Sequence, residues 1–242
     1  MKIINNFRIY TREAKRLKRE YPKNINSILE LMWFFPAWYQ SRGANASPLA
    51  DERPWLTFAA IRFLEQNLTR DMRVFEYGSG GSTLFFAEHV KAGVSVEHDL
   101  VWKKKVSEAL RQKGYRNWQM RVFELPFNAS LLQDPSDPNS YASGRIRYRK
   151  QSFKDYAISI EEYPDGYFDV VLIDGRARPS CFKHAVNKVS EKGCIILDDA
   201  DRDHYCYIHK SLNNRHWEKK IFCGPRPYSD YFWQTTIWQK VD

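Results

Sequence analysis

The stretch RVFEYGSGGSTLFFAEH, residues 73–89, passes from an apolar strand-like segment through three glycines into a run of helical composition. Gly78, Gly80 and Gly81 permit a sharp turn and let a ligand approach the backbone without side chains in the way. The helix that follows points unpaired N–H groups at anionic oxygens. A dinucleotide turn would place a third glycine at position 83, where this chain has Thr83, and Glu76 would repel a pyrophosphate. A zwitterionic ligand with an amino group suits the combination better.

Working outward, the chain alternates strands and helices. Strands are expected at 72–77, 93–98, 118–125, 167–174 and 193–199. Helices are expected between them at about 83–91, 102–114 and 153–163, and in a segment opened by Pro179 and closed before Gly193. The runs YFDVVLID (167–174) and GCIILDD (193–199) read as strands buried on both faces. KKIFCGPRP (219–227) and YFWQTTIWQ (231–239) read as an antiparallel hairpin on the sheet edge. Residues 126–150, rich in Pro, Asp, Asn and Ser, are expected to form a lid or mobile loop. Before the first strand, 10–20, 24–34 and 54–68 have helical spacing, the last through Trp55, Phe58, Ala59, Arg62 and Phe63.

The expected fold is therefore α/β: a Rossmann-like doubly wound sheet, mostly parallel, with a C-terminal antiparallel hairpin strand. Residues 1–70 form an N-terminal helical cap, and 71–242 form the ligand-binding domain with its insertion at 126–150. Ligands in such sheets bind beyond the carboxyl ends of the strands. That directs attention to Glu97, Asp174 and the pair Asp198–Asp199.

Taken together, FEYGSG (75–80), VSVEHD (94–99), VLIDG (171–175), IILDD (195–199) and the hairpin resemble the class I S-adenosylmethionine-dependent methyltransferases. The resemblance spans about residues 70–242, a single-domain length; Ser82 stands where the family's usual last glycine would be. It implies a cofactor site made by Glu76, Gly78, Ser79, Gly80 and Ser82 around the methionine part. Glu97 would bind the ribose hydroxyls, Glu124 would contact the adenine, and Asp174 would border the cofactor.

The acidic groups after the fourth and fifth strands look like those of cation-dependent small-molecule O-methyltransferases. By that resemblance Asp174, Asp198 and Asp199 hold Mg²⁺, which lowers the pKa of a substrate hydroxyl. Arg176, Arg178 and Arg202 offer the other reading, neutralising the same carboxylates without a metal. The base that takes the hydroxyl proton is His204 or Asp174. The Asn/Asp-Pro-Pro-Tyr/Phe motif of amino-group methyltransferases is absent; Asp174 is followed by Gly175 and Arg176. The expected acceptor is a hydroxylated small molecule, and a catalytically idle binding module of the same fold is the alternative of a different class.

With 242 residues and a net charge of +9, the chain suits one large domain and keeps a nucleic-acid acceptor in view. Basic residues concentrate in 1–23 and in the group Arg145, Arg147, Arg149, Lys150 and Lys154; a solvated surface explains them equally well. Cysteines 181, 194, 206 and 223 lack metal-site spacing. The opening residues lack the apolar run of an export signal, so a cytoplasmic protein with reduced thiols and chance Asn-x-Ser/Thr sequons is expected. The longest apolar stretch, 31–39, is too short to cross a bilayer and contains Pro36.

Overall fold

Apolar residues at alternate strand positions sort to the two faces of one sheet. The computed structural model describes residues 2–25 and 28–241. Four helices come first: α1 (Lys2–Glu20), α2 (Ile28–Met32), α3 (Phe35–Gln40) and α4 (Phe58–Asn67). Next come β1 (Arg73–Tyr77), α5 (Gly81–His89), β2 (Ala92–Glu97), α6 (Leu100–Gln112) and β3 (Trp118–Val122). After the long connection stand α7 (Lys154–Ile158), β4 (Phe168–Ile173), α8 (Arg178–Ala185), β5 (Val189–Leu197) and α9 (Cys206–Ser211). The hairpin β6 (Trp217–Gly224) and β7 (Trp233–Lys240) ends the chain.

The strands form one seven-stranded sheet in the order β3-β2-β1-β4-β5-β7-β6. β1 to β5 are parallel; β7 pairs antiparallel with both β5 and β6. Phe75, Tyr77, Val171, Ile173, Ile195 and Leu197 face one core, covered by α7, α8 and α9. Val74, Val170, Leu172, Cys194 and Ile196 face the other, shared with Tyr10, Leu17, Trp38 and Ile61 of the N-terminal helices. The period-2 alternation of β4 and β5 is thus hidden in the sequence, because both faces are apolar.

Several boundaries differ from expectation. Gly193 does not follow a helix end but lies inside β5, which begins at Val189. The pairing of β4 with β5 shifts register between Phe168 and Val170, and Lys192 takes φ +64°. A Cβ on Gly193 would lie 2.8 Å from Val189 Cγ1 and 3.0 Å from the Asp169 carbonyl oxygen. Such crowding at a bulge selects glycine.

α4 starts at Phe58, not 54, because Thr57 is extended and donates its N–H to Thr235 Oγ1 at 3.1 Å. Trp55 is thereby released from the helix. The expected 24–34 helix is replaced by α2 and α3; residues 26 and 27 lie outside the described ones. The expected 153–163 helix divides into α7 and a 3-10 segment at Ser159–Glu162, and α9 was not foreseen. Among the described residues no helix is long and apolar enough to cross a membrane.

Candidate active site

The carboxyl ends of β1, β2, β4 and β5 open into a cleft of about 600 Å³. At its floor the turns after β1 and β4 meet through glycines. Gly78 has φ +102°, and a Cβ there would lie 3.4 Å from Gly175 Cα. Gly81 begins α5 beneath the carbonyl oxygens of Pro48 and Arg53, where a Cβ would come within 2.2 Å of both. Gly80 donates its N–H to Thr83 Oγ1 at 2.9 Å, closing the turn. Ser79 lines the cleft; its carbonyl accepts from Trp102 Nε1 at 2.9 Å, and its buried Oγ has no protein partner among the described residues.

Glu76 borders the same cleft but is only 1% exposed. Its carboxylate accepts from the hydroxyls of Ser82 and Ser95, and from Thr83 Oγ1 at 2.7 Å. Ser95 Oγ in turn accepts from Trp118 Nε1 at 2.8 Å. Glu76 and Ser82 therefore brace the glycine turn against β2. Burial raises the Glu76 carboxyl to about 7, although the three hydroxyls act to lower it.

Asp198 is likewise raised by burial, and by the charges of Asp174 and Asp199, to about 8. In both groups the native chain keeps a proton that the unfolded chain has released. Stability should therefore fall as pH rises from the ordinary carboxylate range through about 7 and about 8. Thermal melts of the ligand-free protein across that window check this. Glu76→Gln should flatten the lower part of the slope, and a rising profile would contradict the assignment.

Glu97, at the end of β2, is 5% exposed and faces the cleft. Its Oε2 accepts the backbone N–H groups of His98 at 2.8 Å and Asp99 at 3.0 Å. These contacts orient the carboxylate and leave Oε1 for a ligand. Asp99 caps α6 through the Trp102 N–H at 2.9 Å. Glu124 is not brought in: β3 ends at Val122, and Glu124 lies exposed outside the cleft lining.

Asp174, Asp198 and Asp199 do converge on the cleft, but arginines claim them. Arg178 Nη2 donates to Asp174 Oδ1 at 2.8 Å. Arg226 Nη1 lies 3.5 Å from Asp198 Oδ2 and 3.1 Å from Asp199 Oδ1. Arg202 pairs with Asp199 Oδ2, and Thr235 Oγ1 donates to Asp198 Oδ1 at 2.7 Å. Among the described residues no group of three or more His, Cys, Asp or Glu could hold a metal ion. Guanidinium and hydroxyl donors thus engage an oxygen of each member of the expected Mg²⁺ trio, the neutralising arrangement that the sequence also allowed.

Asp174 remains the accessible carboxylate of the three, with a side chain 31% exposed and no protein partner on Oδ2 among the described residues. Burial raises its pKa despite Arg178. His204 lies beside the cleft rather than in it, lining an adjoining small cavity. Burial, with Arg202 and Arg178, lowers its pKa.

Four aromatic side chains that sequence reasoning missed also line the cleft: Trp55, Trp102, Tyr148 and Trp233. Arg226 stacks between two of them, 5.2 Å from the Trp55 ring and 4.7 Å from the Trp233 ring. Tyr148, from the insertion, meets His98 Nε2 at 2.7 Å through its hydroxyl. Only the position of His98 and Trp102 just after an expected strand end could have flagged any of this.

No protein-family model and no curated protein sequence matches the chain. Solved structures do. An O-methyltransferase from Bacillus cereus in complex with S-adenosylhomocysteine (SAH) matches with a TM-score of 0.53 at 12% identity, over 95% of this chain and 99% of that one. The O-methyltransferase TomG from Streptomyces achromogenes, in complex with S-adenosylmethionine, gives 0.51 at 13% identity, over 95% and 88%. An rRNA methylase from Streptococcus thermophilus gives 0.52 at 11% identity, over 75% and 93%. The fold of this chain is that of the class I S-adenosylmethionine-dependent methyltransferases.

Proposed function

We propose that the protein transfers a methyl group from S-adenosylmethionine to a hydroxyl oxygen of a small molecule. The observation that carries this reading is one cleft holding both ends of the chemistry. A glycine turn with a buried Ser79 Oγ, unpartnered among the described residues, and the Glu97 carboxylate lie at one side. The accessible Asp174 lies at the other. Gly78 and Gly175 keep side chains out of the floor, so a nucleoside can lie along the backbone. Trp102, held against the turn by its bond to Ser79, walls that side.

When bound, S-adenosylmethionine supplies a methyl group on a positively charged sulfur, and transfer to a hydroxyl oxygen breaks the sulfur–carbon bond and releases one proton. Asp174 Oδ2 takes that proton. Its raised pKa makes it a stronger base than an ordinary aspartate, and Arg178 on Oδ1 holds the carboxylate in place. Asp198 and Asp199 position the arginines around it. Trp55 and Trp233 line the acceptor side.

Titration calorimetry with S-adenosylmethionine, SAH and NAD, followed by a methyl-transfer screen over hydroxylated metabolites, tests the reading. Binding of NAD but of neither sulfonium-derived ligand would overturn it. Glu97→Ala should weaken SAH binding by about 1.5–3 kcal/mol, the worth of hydrogen bonds to a charged acceptor. Unchanged affinity would remove Glu97 from the site.

A second reading, methylation of RNA, draws on Arg145, Arg147 and Tyr148 at the cleft and on the rRNA methylase match. The same screen, run with RNA, separates the two.

A further inference from the structure

Beside the main cleft lies a second cavity of about 90 Å³. It is bounded by Pro135 and residues 142–145 of the insertion, by the start of α8, and by the segment after β5. Arg145, Arg176, Arg178 and Arg202 line it together with His204, and no carboxylate is among its lining residues. Arg178 and Arg202 are paired, with Asp174 and Asp199. Arg145 and Arg176 make no ion pair among the described residues, and Arg176 rests 5.8 Å from the Tyr148 ring. His204, whose pKa burial and two of these guanidiniums lower, is a neutral donor or acceptor there at neutral pH.

The same four arginines also line the main cleft. A group seated in the small cavity would therefore belong to a molecule extending into the large one. We propose that this cavity is an anion subsite that holds a terminal phosphate group of the acceptor, with the acceptor's hydroxyl lying toward Asp174. Guanidinium forks arriving from the insertion, from the β4–α8 turn and from the segment after β5 suit a group with three terminal oxygens. A volume near that of one such group favours a phosphate monoester at the end of a small molecule over a phosphodiester within an RNA strand. The assignment to the acceptor rests on the methyl-transfer reading, whereas the anion subsite stands without it.

The test titrates inorganic phosphate into the full chain saturated with SAH, at constant ionic strength. Histidine-ring NMR reports on His204, and calorimetry reports affinity. Saturable movement of the His204 resonances is expected. The double variant Arg145→Gln, Arg176→Gln should lose at least tenfold in phosphate affinity, with SAH affinity within twofold of the parent. An unresponsive His204, or equal phosphate affinity in the double variant, would overturn the subsite. Phosphate binding by a protein that does not bind SAH would instead sink the methyltransferase reading and leave the subsite intact. In the transfer assay, phosphorylated hydroxyl compounds should outperform their dephosphorylated counterparts. Preference for short RNA would overturn the small-molecule acceptor.

Discussion

Asp174→Asn should lower kcat by about 10²- to 10⁴-fold, the range for loss of a positioned general base, while SAH affinity changes little. The substitution keeps the shape of the side chain and an oxygen for Arg178, so the effect isolates proton transfer. The pH profile adds a second readout. A base works when ionised, so the wild-type rate should rise as pH increases through the Asp174 pKa. That limb lies above the ordinary aspartate value because burial outweighs Arg178. In Asp174→Asn the limb should vanish. His204→Gln distinguishes the competing assignment: loss of the limb there, with Asp174→Asn near wild type, would transfer the role to His204. With the acceptor identified by the screen, single-turnover rates in both variants decide between them.

Arg178→Met should destabilise the fold by about 3–5 kcal/mol, the cost of removing one partner from a buried charged network. Arg178 is 6% exposed and ties the ends of β4 and β5 together. Its guanidinium donates to Asp174 Oδ1 at 2.8 Å, to the Asp174 carbonyl at 3.0 Å and to the Gly175 carbonyl at 3.2 Å. It also donates to the carbonyl of Asp198. Methionine keeps an unbranched apolar stem but leaves these acceptors unpaired. Against a typical total stability of about 5–15 kcal/mol, such a loss brings the fold near its threshold. Urea unfolding measures it, and a change below about 1 kcal/mol would mean that water replaces the guanidinium without penalty. Arg178→Lys should fall between, since the charge remains and the fork is lost.

These two residues show how unevenly the site was written along the chain. Asp174 could be marked because it ends a continuous apolar strand, and Glu97 because it closes the second strand after the glycine turn. The glycine turn announced itself because positive φ and close backbone approach leave a local trace. Arg178 was seen only as one possible neutraliser of nearby acids. Its four acceptors lie just past the ends of two strands brought side by side, a relation no spacing encodes. Glu124 misled because the end of β3 depends on where pairing with β2 stops, at Val122.

The alternation of strands and helices, the buried runs, the closing hairpin and the glycine turn were determined by the sequence itself. Each rests on periodicity or conformational preference within a few residues. The carboxylates' partners were decided only by tertiary structure. Arg226 follows β6, 27 residues beyond Asp199, and reaches it at 3.1 Å because β7 pairs with β5 and returns the hairpin to the cleft. Trp55, from the N-terminal segment, and Tyr148, from the insertion, likewise meet only in the folded chain, at the same cleft. Whether three aspartates hold a cation or are held by arginines depends on which charges the fold brings within about 4 Å, where Coulomb energies become large. That distance is a property of the packed sheet and its loops, and no local pattern of residues contains it.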